Sequence, residues 1–376
     1  MPCWTKKRHG LAIRKAMTAR SVVTAAVLLA LAPGLGLAAT MGQFATDADL
    51  VSGDRVSLYG GGRLLPPGLA PDRPAPYQFA FAAPVGDDLP GLPPEPVYDG
   101  PVDLAYGAYQ RGAYDEAYEA ALQRSGRGDP RAETLIGELV ERNLIAEEKA
   151  GPALEWYRMA AESGEPFALN RYGMALLTSD EEADNEKGGV LVKQAAEAGD
   201  PLAQFNYGSL LIEQNPGKDG LKLALPWFEA SAEADIADAQ YALSQIYPAL
   251  DDLPEEKKAL WKFWLRRAAD GDHDTAQLDL ALALINGRGM PRDLEQGVDW
   301  LRRAALNGNP AAMSRLAYLY SQGIGVREDK ETAATFYLSV RRLGLVEPGM
   351  EELLDGLDAE TRAAAERRSR ALAQRY

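Results

Sequence analysis

The sequence predicts an all-α fold, an α-solenoid of helix-turn-helix repeats, on three observations. Residues 312–344, AMSRLAYLYSQGIGVREDKETAATFYLSVRRLG, read as two short amphipathic helices joined by Gly323-Ile324-Gly325-Val326. Ala312, Leu316, Ala317, Leu319 and Tyr320 line the first helix, and Ala333, Phe336, Tyr337 and Val340 line the second. Neither face can be buried by one helix pair alone. The same marks then recur upstream. A small residue recurs at Ala317, Ala281, Ser244, Gly208, Gly173 and Gly137. An alanine five positions earlier recurs at Ala312, Ala276, Ala239, Ala203, Ala168 and Ala132. A large second-helix residue recurs at Phe336, Trp300, Phe263, Trp227, Leu191 and Trp156. A closing residue recurs at Gly344, Gly308, Gly271, Asp235, Gly199, Gly164 and Gly128. Finally, each series advances by 35 to 37 residues per step, a period that belongs to helical solenoids.

The stretch Leu280-Ala281, Asn286-Gly287-Arg288-Gly289-Met290, Asp293, Trp300, Ala304-Ala305, Gly308 resembles a Sel1-like repeat, a relative of the tetratricopeptide repeat. Residues 312–344 are a second copy, and earlier units lose the Gly-x-Gly-Val turn. The resemblance spans about residues 103–345 and implies a right-handed solenoid.

In chain order, residues 1–39 look like an export signal. Lys6, Lys7, Arg8, Arg14, Lys15 and Arg20 precede an apolar core at Val22–Leu31, and Gly36, Ala38 and Ala39 supply small residues for cleavage. A start at Met17 gives a more ordinary signal. The interruption by Pro33, Gly34 and Gly36 argues against a retained span. Cys3 is the single cysteine, so a mature chain has no disulfide and no lipid-anchor cysteine. The bacterial periplasm is the expected compartment, with secretion as the alternative. Residues 40–101 are a proline- and glycine-rich linker: eleven prolines fall between Pro66 and Pro101, which favours extended chain over helix. Tyr77-Gln78-Phe79-Ala80-Phe81 is the stretch of this linker suited to docking.

Residues 103–128 form a capping unit resembling a tetratricopeptide unit through Gly112, Tyr114 and Ala117. Six Sel1-like units fill residues 129–345. Acidic inter-helix loops are expected at Ser179–Glu186 and Asp251–Glu256, without the ligand spacing of a calcium loop. Residues 346–376 read as two capping helices, the last with a thin apolar stripe at Leu357, Ala364 and Leu372.

Little in the chain suits catalysis. His273 is the one imidazole after the signal and falls in an inter-repeat turn. No zinc ligand set or phosphate-binding loop appears, so neither metal nor cofactor is expected. Some cysteine-rich Sel1-like proteins are linked to β-lactam binding or hydrolysis, but this chain lacks their cysteine framework. With 55 Asp and Glu against 40 Lys and Arg, a net −15, nucleic acid is an unsuitable partner.

The tetratricopeptide resemblance implies a concave groove lined by residues three before, two before and one after the small position of helix one. It assigns a partner-binding groove to Asn170, Arg171, Phe205, Asn206, Ser209, Tyr241, Gln245, Asp279, Arg315 and Tyr318. An Asn side chain pairs both C=O and N–H of an extended peptide, and aromatics supply contact area. Arg266-Arg267, Arg302-Arg303 and Arg341-Arg342 on the second helices read as a solvated face, with a convex basic strip for an acidic partner or anionic lipid as the alternative. The expected function is a non-enzymatic, exported scaffold that binds a protein or peptide, with no stable membrane insertion. Its layout resembles periplasmic Sel1-like regulators that hold an envelope sensor kinase inactive. The alternatives are a cell-wall or exopolysaccharide assembly adaptor and, behind it, a peptidoglycan or β-lactam hydrolase.

Overall fold

A computed structural model describes residues 103–373. The expected signal peptide and proline-rich linker, with Tyr77–Phe81, lie outside the described residues. Within them the chain is helical throughout, with no strand.

The helices pair in sequence. The first pair is α1 (Leu104–Gln110) and α2 (Tyr114–Ser125). Next come α3 (Pro130–Glu141), the one-turn α4 (Glu147–Ala150) and α5 (Ala153–Glu162). Units three and four are α6 (Pro166–Leu176) with α7 (Glu182–Glu197), and α8 (Pro201–Gln214) with α9 (Lys218–Glu233). Unit five is α10 (Ala237–Ala249), the short α11 (Glu255–Lys258) and α12 (Trp261–Asp270). Units six and seven are α13 (Asp274–Asn286) with α14 (Leu294–Leu306), and α15 (Pro310–Gln322) with α16 (Lys330–Arg341). The short α17 (Pro348–Asp355) and α18 (Ala359–Ala373) close the array. Apart from the short α4, α11 and α17, which are bypassed, each helix packs chiefly on the long helices before and after it, the nearest-neighbour pattern of a solenoid.

The recurring alanine has a local cause. Asp129, Glu165, Asp200, His273 and Asn309 cap the first helices, each accepting from the backbone N–H of the alanine three residues on. Those alanines, Ala132, Ala168, Ala203, Ala276 and Ala312, are buried. A side-chain acceptor there satisfies an otherwise orphaned helix N–H. The small position has a packing cause. A methyl group on Gly137 would sit 2.7 Å from the ring of Tyr157, and one on Gly208 would sit 3.1 Å from that of Phe228.

Four expectations are corrected. The deeply buried second-helix series lies one residue later than predicted: Tyr157, Val192, Phe228, Trp264, Leu301 and Tyr337 are buried. Of the residues that seemed to mark the core, Trp300 is buried, whereas Phe263 is 52 % exposed. Aromatic size drew the eye, but the helix turns the following position toward its partner. In unit five the left-handed closing residue is Asp272 (φ 61°) rather than Gly271. The acidic stretches are not free loops: Glu182–Glu186 begin α7, and Glu255 and Glu256 begin α11. Asp251 pairs with Lys218, and Asp252 with Lys222 at 2.8 Å, both across a unit boundary. Finally, α18 buries Ala365 and Ser369; Leu357, Ala364 and Leu372 are only partly covered. Ser369 Oγ lies 2.8 Å from Ser339 Oγ on α16, so small residues let the two helices approach closely.

Among the described residues no helix is long and apolar enough to cross a membrane.

Candidate functional site

Stacking the units brings the first helices side by side, so equivalent positions on α6, α8, α10, α13 and α15 form columns. The column two before the small position reads Arg171, Asn206, Ala242, Asp279, Arg315. Three clusters form along this strip.

The first joins units two to four. Asn206 Nδ2 donates to Asn170 Oδ1 at 2.9 Å. Asn170 is 1 % exposed, and its own Nδ2 is buried without a partner. Beside it the Arg171 guanidinium reaches Glu141 at 3.4 Å and lies 5.1 Å from the ring centre of Phe167, while its Nε is buried and unpaired. Tyr157 Oη donates to Glu141 at 2.8 Å. Burial first, and the Glu141 carboxylate second, push this phenol far above its ordinary range.

The second joins units five and six. Tyr241 Oη donates to Asp279 Oδ2 at 2.9 Å, and Gln245 Nε2 reaches the same oxygen at 3.4 Å. The Tyr241 ring stacks on His273, with centres 4.5 Å apart. Burial pushes the Asp279 carboxyl up to about 6, although the Tyr241 hydroxyl and the Arg288 charge act in the opposite direction. Removing an anion from water raises its pKa unless a cation comes with it. Burial also raises the Tyr241 phenol, helped by the Asp279 charge.

The third lies on α15, where the Arg315 guanidinium is 5.9 Å from the Tyr318 ring centre and its Nε is buried without a partner. The neighbouring Ser314 hydroxyl bonds to Glu347 on the edge of α17.

Two predicted groove residues have other work. Phe205 is 5 % exposed and packs 5.6 Å from Phe228, in the core shared with Leu221, Leu243 and Ile246. Its backbone position turns the ring between the helices rather than outward. Ser209 returns its hydroxyl to the Phe205 carbonyl at 2.8 Å, a bond that competes with outward presentation. Tyr241, 6 % exposed, offers its edge through Asp279 rather than its face. Glu141 and Tyr157 escaped the sequence reading because their link to Arg171 crosses a unit boundary, where periodicity within a unit carries no signal.

The arginines of the second helices are engaged. Arg266 and Arg303 lie 5.1 and 4.5 Å from the centre of the Trp300 ring. Arg267 pairs with Asp235 at 2.6 Å, Arg302 with Asp299 at 2.5 Å and Arg341 with Glu351 at 2.8 Å. Arg342 bonds to Ser369. A free basic strip does not form there.

His273 caps α13: its Nδ1 accepts from Ala276 N at 3.1 Å, and its Nε2 lies 3.6 Å from Asp238. Among the described residues no group of three or more His, Cys, Asp or Glu side chains is placed to hold a metal ion.

The Sel1 repeat family model matches six times, at residues 137–165, 166–200, 201–236, 237–273, 275–309 and 310–344. A solved Sel1 repeat protein from Oxalobacter formigenes is 27 % identical, covering 68 % of this chain and 75 % of that one, with a TM-score of 0.52. The structure of c5321, a protective antigen of uropathogenic Escherichia coli with an SLR fold, is 23 % identical over 73 % of this chain and 68 % of that one, with a TM-score of 0.44. Chitin synthase regulatory factor 3 of Schizosaccharomyces pombe is 25 % identical over 261 residues, covering 57 % of this chain and 28 % of that protein. The match thus spans under a third of that regulator's length. Proteins built of Sel1 repeats are generally protein-interaction scaffolds and typically non-catalytic adaptors.

Proposed function

As this chain belongs to the Sel1 repeat family, we propose that it is a non-enzymatic scaffold that binds an extended segment of a partner protein along the first-helix strip. The observation that carries this reading is that three of the four buried side-chain donors without partners among the described residues, Asn170 Nδ2, Arg171 Nε and Arg315 Nε, lie on that strip, the fourth being Trp264 Nε1 on α12. Such donors cost stability when left unpaired, and the half-exposed guanidinium ends of Arg171 and Arg315 are the groups on this strip that the carbonyls of an extended peptide satisfy.

The basic, apolar and small-residue succession of residues 1–39 supports export to the periplasm. In that compartment the partner is an envelope sensor or an assembly protein. The likeness to a chitin synthase regulatory factor favours a second reading, an adaptor in polysaccharide assembly.

The test is capture after in-cell crosslinking with the native chain and with an Arg171→Ala/Asn206→Ala/Arg315→Ala variant, whose helicity is checked first. A protein recovered by the native chain and lost by the folded variant is the expected result. Equal recovery by both would overturn the assignment to this strip.

A further inference from the structure

We infer that Asp279, held between Tyr241 and Gln245, is the receiving site for a cationic side chain, lysine or arginine, of the bound partner segment. This inference rests on the reading of the first-helix strip as a peptide-binding face, and it names the chemistry recognised there.

The carboxylate is oriented by two donors on the preceding unit, Tyr241 at 2.9 Å and Gln245 at 3.4 Å, both to Oδ2. Tyr241 is itself fixed from behind by its stack on His273, which caps α13 and lies 3.6 Å from Asp238. The group is therefore preorganised on packed helices rather than carried on a loop. Yet it has no counter-charge. Among the described residues, Glu141 meets Arg171, Asp235 meets Arg267 and Asp252 meets Lys222, while Asp279 has no such partner within 4 Å. The neighbouring column position is Ala242, whose methyl group supplies no polar atom. Arg288, on the turn after α13, acts on it only through longer-range attraction. A carboxylate withdrawn from water and hydrogen-bonded on one oxygen is stabilised by a cation that arrives with its own apolar stem. The raised pKa is the expected signature of that missing charge. The other titratable groups nearby are Tyr241, His273, Asp238, Asp274 and Arg288, and of these the Tyr241 hydroxyl, by its hydrogen bond, and Arg288, by its charge, oppose the burial.

The test uses the purified chain and labelled extended dodecapeptides, identical except for Lys, Arg, norleucine or Glu at the centre, read by fluorescence anisotropy. Lys and Arg peptides should bind about tenfold more tightly than the norleucine peptide at neutral pH. Asp279→Asn should remove that preference, so that its Lys, Arg and norleucine affinities converge, and the native preference should shrink near pH 5. Tyr241→Phe should reduce it partially. Equal binding of Lys and norleucine peptides to the native chain, or a preference that survives Asp279→Asn, would overturn this inference and leave the strip reading intact. Absence of binding by every peptide would overturn both.

Discussion

Asn206 and Asn170 stand 36 residues apart in sequence and share an amide hydrogen bond of 2.9 Å, one unit boundary bridged by equivalent helices. The bond leaves Asn170 Nδ2 buried and unpaired. Replacing both residues by leucine removes the orphaned donor and the bonded pair together, so the double variant should lose little stability, within about 1 kcal/mol. Asn170→Leu alone strands the half-buried Asn206 amide and should cost about 1–2 kcal/mol more than the double change. Denaturant melts of the two singles and the double, read as a cycle, measure this. In the proposed function the double variant is folded and binds its partner poorly.

Phe205 and Asn206 are adjacent yet should separate stability from binding. Phe205→Ala empties a core position against Phe228 and should cost about 3–5 kcal/mol. Asn206→Ala should cost under about 1.5 kcal/mol and reduce partner capture. Thermal unfolding beside the capture assay distinguishes them.

The Asp279 carboxyl, raised from an ordinary 3.8 to about 6, binds its proton more tightly in the folded than in the unfolded chain. Between those values the native state holds more protons, so this group's contribution falls as pH rises from about 4 to 6 and stays low above. Asp279→Asn should therefore raise stability at pH 7, by about 1–3 kcal/mol, and change it little at pH 4. Melting temperatures of the two proteins across this range should converge toward acid.

The unit-closing turns give a backbone test. Gly164 has φ 78°, and nothing lies within 4 Å of an added Cβ. Gly164→Ala should thus show the conformational cost alone, about 1–2 kcal/mol. Asp272, at φ 61°, already bears a side chain that accepts from Gln277 at 3.3 Å. Asp272→Gly exchanges that bond for relief of strain and should stay within about 1 kcal/mol of native.

Fold and repeat phase were legible because each mark reports a constraint repeated in several units: a cap over Ala132 or Ala312, a ring over Gly137 or Gly208. Phase within a helix was less so. Trp227 looked central, but Phe228 is the residue that turns inward, since the crossing of two helices, and not side-chain size, chooses the buried position. The candidate site was half legible. Column positions of Arg171, Asn206 and Asp279 follow from the repeat, whereas Glu141 and the Tyr241–Asp279 bond depend on pairing between units. Units six and seven also explain the Gly-x-Gly turn: Gly289 sits against Trp261, and Gly325 against Leu294 and Val298, each on the preceding unit.

Lys149–Asp115, Lys218–Asp251, Lys222–Asp252 and Arg267–Asp235 each tie one unit to its immediate neighbour. A chain sutured this way behaves mechanically as links in series. Pulled from its ends, it sheds units one at a time and re-forms them on release, with each link weakening as salt screens its exposed charges. Under the proposed function, a partner lying along several first helices would span several of those links and act as a splint that resists stretch and fraying together.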